Sequence, residues 1–264
     1  MTDKSTLLVR LEGPMQSWGT SSRFEERDTQ MEPSKSGVIG LLCAALGRSR
    51  DADLLDLASL RFGVRVDRQG VLQADYQVAQ NVLQCDGKTT RPITSRRYFL
   101  SDAAFLAGLE ASGKDGEKLL VKLDAALRRP HWQMYLGRKA FVPSAPPAFP
   151  FRPDGLPGPD DAWNVVRLPL EEVLERFPPV SPLARGRGKR RGTGGQDDET
   201  TPVRVVIEVA TEVRMIVDQP ENFLEQRYLP RYVKETYVNL DPDGVMNWTK
   251  LPGEEVTGGG QNGG

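Results

Sequence analysis

The sequence predicts an α+β fold, and two observations predict it. Strand-like and helix-like segments alternate through the first 130 residues in the order strand, helix, strand, extended insertion, strand, helix. Beyond them, a proline-rich run leads into segments whose apolar residues alternate as they do in strands.

Taken in order, Thr6–Leu11 is a short apolar strand, and Gly13-Pro14 is expected to end it. Residues Met15–Pro33 form a polar loop carrying Trp18, Arg23, Phe24 and Arg27. Ser34 or Ser36 can cap a helix from about Gly37 to Leu46, closed by Gly47. Asp51–Leu60 reads as a short amphipathic helix, and Arg61–Asp67 as a strand turned by Arg68–Gly70. Val71–Val82 is extended, Asp86-Gly87 is a turn, and strand pattern resumes across Arg96–Leu109. Gly116–Arg129 is an amphipathic helix with Leu119, Leu120, Leu123 and Leu127 on one side. A further strand is expected near Tyr135–Val142 or within Val203–Glu212. The order follows the ferredoxin-like β-α-β-β-α-β plan with a hairpin inserted in its middle. A sheet of this kind commonly offers one open face to a ligand. Pro143–Pro159 is extended, Leu170–Arg176 is a short helix, and Val203–Val217 is one long strand or a bent pair. The expected organisation is a platform over residues 1–150 with its insertion at about 71–97. A β-rich C-terminal extension covers 151–257, with a mobile loop at 185–199, and a flexible tail occupies 258–264.

Composition excludes several classes. The chain has 264 residues, 38% hydrophobic, enough to bury a sizeable core. It contains no run of about 18 apolar residues and opens on no basic, apolar leader, so a cytoplasmic protein with no membrane contact is expected. The two cysteines, Cys43 and Cys85, form no C-x-x-C pair; Cys43 lies in an apolar helical run and Cys85 in a polar stretch. With one histidine, they make no zinc site, and no metal or cofactor is expected. Net charge is −1, which does not announce a nucleic-acid binder. The basic residues are nevertheless clustered, at Arg96-Arg97, Arg128-Arg129, Arg138-Lys139 and Arg185–Arg191, so one face can be basic while the total is neutral.

Four segments, in order and spacing, carry a family resemblance. They are Leu11-Glu-Gly-Pro-Met-Gln-Ser-Trp-Gly19, Pro33-Ser-Lys-Ser-Gly-Val-Ile-Gly-Leu-Leu-Cys-Ala-Ala-Leu-Gly47, Thr94-Ser-Arg-Arg-Tyr-Phe-Leu-Ser-Asp-Ala-Ala-Phe105 and Tyr135-Leu-Gly-Arg-Lys-Ala-Phe141. Together they resemble the CasD family, the handle-binding subunits of type I-E CRISPR Cascade complexes, within the repeat-associated RNA-binding superfamily. The match is good over residues 6–150 and looser beyond. The resemblance implies a non-catalytic subunit that holds the 5′ handle of the guide RNA (crRNA) and ends the backbone filament. It implies that the inserted hairpin is a thumb lying against RNA and the adjacent backbone subunit, CasC. The large subunit, CasA, would lie beside it, with target DNA in the assembled complex.

The residues themselves suggest how an RNA strand would be held. Gln16 can read a base edge, and Trp18 can stack on a splayed base or fill the core. Ser34, Lys35 and Ser36 stand at a helix amino end, where free N–H groups and the helix dipole suit a phosphate; ordinary serine capping fits the same residues. Arg96 and Arg97 lie where the insertion returns to the sheet, and Arg27 lies in the loop after the first strand. Arg138 and Lys139 flank a glycine turn. A second reading is a metal-independent ribonuclease trimming the repeat. It lacks an obvious acid–base pair: the single histidine, His131, sits at a helix exit.

Overall fold

The computed structural model describes residues 3–21, 25–181, 201–211 and 213–240. The first strand, β1 (Lys4–Gln16), is followed by a two-residue strand, β2 (Glu26–Arg27). Two helices come next, α1 (Lys35–Leu46) and α2 (Leu55–Ala58), then β3 (Arg61–Arg68). A long hairpin joins β4 (Val71–Leu83) to β5 (Thr90–Ser112). Helix α3 (Gly113–Arg128) leads through the proline-rich segment to β6 (Val165–Val166) and α4 (Leu170–Arg176). Strands β7 (Thr201–Val209), β8 (Arg214–Asn222) and β9 (Arg227–Leu240) complete the described chain. All strands belong to one sheet, ordered β6-β1-β5-β3-β7-β9-β8, with β2 and β4 also paired to β5. The order β6-β1-β5-β3 is antiparallel throughout, and the strands after residue 200 extend the same sheet from β3.

Local chemistry accounts for these elements. Ser34 caps α1, its hydroxyl accepting from Gly37 N, and Gly47 ends the helix at φ 73°. A positive φ there favours glycine, as the sequence suggests. The turn at Asp86-Gly87 forms as expected, with Asp86 accepting from the N–H groups of Lys88 and Thr89 and Gly87 at φ 67°. Leu120, Leu123 and Leu127 of α3 are buried on the sheet. Cys43 is buried and Cys85 is exposed near the hairpin turn. No described helix is long and apolar enough to cross a membrane.

Several expectations need correction. Gly13-Pro14 does not end β1: pairing with β5 continues from Gly13↔Ala103 through Gln16↔Leu100. Pro14 is tolerated because it is exposed and the register passes over it. The helix expected at Asp51–Leu60 shrinks to the single turn of α2. Tyr135–Val142 is a folded-back loop, closed by Leu136 N to Phe141 O at 2.8 Å; β7 supplies the later strand. The alternating run Val203–Val217 resolves into β7 and β8, each paired with β9.

The open sheet face is also absent among the described residues. On one face, Leu7, Val9, Phe62, Phe105 and Leu109 pack with α1 and α3. On the other, Leu8, Leu106, Val205 and Ile207 pack with Leu170, Val173 and Leu174 of α4 and with Phe149. Alternate residues of β1 therefore enter two different cores.

Helix α4 is fastened by a buried ion pair. Arg65 is 0% exposed and donates to both carboxylate oxygens of Asp67, at 2.6 and 3.0 Å. Its guanidinium also caps the end of α4, donating to the carbonyls of Leu174 (2.7 Å), Phe177 (2.5 Å) and Pro178 (2.9 Å). Asp67 in turn accepts from Val180 N at 2.6 Å. Removing one member of such a pair strands the other charge away from water. Arg65→Ala is expected to lower stability by about 3–5 kcal/mol in urea unfolding. Lys118→Ala, which breaks only an exposed pair with Asp115, should leave the midpoint in place.

Candidate nucleic-acid interface

The first motif folds inward. Gln16 is 0% exposed; its amide donates to Leu11 O (3.1 Å) and Ala103 O (2.8 Å). Its side-chain carbonyl accepts from the indole N–H of Trp18 at 3.1 Å. Trp18, 1% exposed, lies against Gly37, where an added Cβ would stand 2.8 Å from Trp18 Cε3. Base reading by Gln16 and stacking by Trp18 are therefore corrected to a core role: every polar atom of the pair already has a partner.

The amino end of α1 is likewise occupied by its own chain. Asp218 Oδ2 accepts from Lys35 N at 2.7 Å, while the Asp218 carboxylate binds Arg231 at 2.5 and 2.9 Å. Lys35, 0% exposed, turns its ammonium to Glu208 (2.9 Å) and Gln219 (3.2 Å). Burial pulls the Lys35 pKa down, and the neighbouring Glu208 pushes it back. The helix dipole does attract an anion here, as expected, but the anion is an aspartate. Lys35 and the buried Ser34 cap thus serve α1 itself, whereas Ser36 lines an outer cleft.

Cations converge beside that cleft. Strand β2 runs parallel to β5 and sets Arg27 opposite Arg97. Arg138 donates to Tyr98 O (2.9 Å) and Arg27 O (3.3 Å), and lies over the Phe141 ring at 5.4 Å. Its pKa is lowered by burial first, then by the like charges of Arg97 and Arg27, with Asp75 and Asp28 opposing. Arg138 thus lies in the field of arginines from two other segments, with Asp28 in the same cleft partly offsetting them. A glycine sets this geometry. Gly137, at φ 94°, would place a Cβ 1.8 Å from Ser17 O, so only glycine lets the loop press on the end of β1. Ser17 N to Leu136 O, at 3.0 Å, completes the junction.

The structure therefore brings Arg27, Ser36, Arg97 and Arg138 together and separates the rest. Arg96 is exposed, with its pKa raised by a hydrogen bond to Tyr98. As the strand neighbour of Arg97, it faces the other side of the hairpin. Lys139 lies on the rim of a second cleft. The first cleft, of about 280 Å³, and the second, of about 500 Å³, share Ser36, Gly37, Gly137, Phe223 and Tyr228 in their walls. The second adds Arg48, Arg50, Trp132 and Tyr135, which sequence reasoning did not select as site residues. The aromatic and basic mixture around Arg227–Tyr237 was the available signal for Tyr228. His131 acts on the exit of α1: its N–H bonds Ala45 O at 2.9 Å and its ring packs on Gly47. Among the described residues no His, Cys, Asp and Glu side chains gather as a metal site. Arg23, Phe24, the basic run Arg185–Arg191, the loop 185–199 and the tail 258–264 lie outside the described residues.

Comparison with known proteins identifies the class. The family model "CRISPR-associated protein (Cas_Cas5)" matches residues 6–177, so the chain belongs to the Cas5 family of CRISPR-associated proteins. Over 152 residues it is 32% identical to the CRISPR system Cascade subunit CasD of Escherichia coli (strain K12). That match spans 52% of this chain and 66%, just under two thirds, of the relative. A solved structure described as a Cas protein superposes with a TM-score of 0.64 and 43% identity, covering 91% of this chain and 97% of that one. A chain of a CRISPR RNA-guided surveillance complex gives 0.67 and 29%, covering 94% and 95%.

Trp18→Ala is expected to cost about 3–5 kcal/mol of stability in urea unfolding, as for a large aromatic removed from a core. Unchanged stability together with lost RNA binding would return Trp18 to the interface.

Proposed function

We propose that this chain is a non-catalytic, cytoplasmic Cascade subunit that binds the 5′ handle of crRNA and caps the backbone filament. The convergence of Arg27, Arg97 and Arg138 beside an exposed cleft carries the reading. Cations drawn from separate elements to one place suit the phosphates of a bent single strand. The order β6-β1-β5-β3, with α1 and α3 on one face, supports a ferredoxin-like platform. The β4–β5 hairpin supports the thumb: β4 is exposed along almost its whole length. The names of the relatives place those proteins in Cascade and in an RNA-guided surveillance complex, and the likeness extends that setting to this chain. In it, CasC and CasA would be neighbours and target DNA would enter only with the assembled complex.

Fluorescence polarisation with a labelled handle RNA tests the reading. Affinity should fall with rising salt, with a log–log slope of about −0.7 for each phosphate neutralised. Arg97→Glu and Arg138→Glu should each weaken binding by about tenfold or more and flatten the slope by about one. Salt-insensitive binding, or full affinity in both variants, would remove the arginine cluster from the interface.

A further inference from the structure

The larger cleft has the composition of a base pocket, not of a phosphate track. Four aromatic residues line it: Trp132 and Tyr135 come from the loop after α3, Phe223 from the β8–β9 turn and Tyr228 from the start of β9. Trp132 is 47% exposed although its backbone N–H is tied to Ala44 O at 3.1 Å. Gln133 and Gln226 add amides able to pair with a base edge, and Lys139 and Arg50 add positive charge. At about 500 Å³ the cleft is of a size that holds one small organic group.

The floor gives an independent indication. Gly40 lies inside α1, where glycine is unfavourable for a helix. Gly37, one turn earlier, is required by Trp18, but no such neighbour requires Gly40. Outside its own helix, an added Cβ would meet only Phe223 Cζ, at 3.8 Å. A Cβ there would face the cleft beside Phe223 and meet no backbone outside its own helix.

We propose that this cleft receives one unstacked nucleobase of the bound single-stranded RNA, held against its aromatic lining beside Gly40. The inference rests on the handle-binding reading and deepens it. The phosphates run past Arg27 and Arg138, and the base turns aside into the adjoining cleft, whose wall residues Ser36, Gly137 and Tyr228 are common to both. Stacking between aromatic faces accepts any base, while the two glutamines favour particular edges.

The test uses the full-length chain, a synthetic handle RNA and a set of the same RNA with single abasic nucleotides. In the wild type, one abasic position should weaken binding about tenfold and its neighbours far less. Gly40→Leu should weaken intact RNA by a similar factor and abolish the penalty at that one position. Trp132→Ala should lose part of the same position-specific penalty. Leucine is the better helix former, so Gly40→Leu should unfold at the same temperature or higher, which separates a filled cleft from a damaged fold. If the wild type binds in a salt-dependent manner but neither abasic scanning nor Gly40→Leu changes affinity, the base pocket is refuted and handle binding stands. If the wild type shows no binding of handle RNA, both readings fall.

Discussion

The site depends on a buried charge network at the start of α1. Lys35, Glu208, Asp218 and Arg231 come from one helix and three strands, and each charge has an opposite partner within 3 Å. Isolated, any one of them would be costly to bury. Together they fix the amino end of α1 against β7, β8 and β9. That attachment brings Phe223 of the β8–β9 turn and Tyr228 of β9 alongside the small-residue face of α1. Without it, both clefts lose Phe223 and Tyr228 from their lining.

A second set of constraints works from the other side. Gln16 and Trp18 finish β1 by turning inward, and Gly37 makes room for the indole ring. Gly137 then allows the loop after α3 to lie on Ser17. Arg138 follows that glycine directly, so its guanidinium is delivered to the carbonyls of Tyr98 and Arg27. The motif that looks most like a reader of RNA is the support on which the cationic surface is mounted.

This division explains what could and could not be read from the chain. Local signals were legible: the Ser34 cap, the Gly47 stop, the leucines of α3 and the Asp86-Gly87 turn each depend on residues a few positions apart. The length of β1 was not, because Gly13-Pro14 reads as punctuation until β5 is known to pair across it. The directions of Lys35 and Trp18 were not legible either. Both follow from contacts made in three dimensions, and Asp218 lies 183 positions from Lys35. Clustering of arginine in sequence gave Arg97 and Arg138 their candidacy, but strand alternation, invisible to a charge count, sends Arg96 to the other side. The wider cleft needs three segments at once, and no single stretch announces it.

Strand β5 has a mechanical consequence. Its 23 residues run unbroken from the hairpin turn to the centre of the sheet, between β1 and β3. At the usual rise per residue its backbone path is roughly 70 Å, with a left-handed residue, Asp102, set within it. Its inner half is clamped in the core and its outer half stands in solvent. The positive backbone angles at Gly70 and Asp102 mark where clamp gives way to overhang. Arg97 stands on the overhang, five residues beyond Asp102, so the angle the hairpin makes at that point sets where its guanidinium is carried.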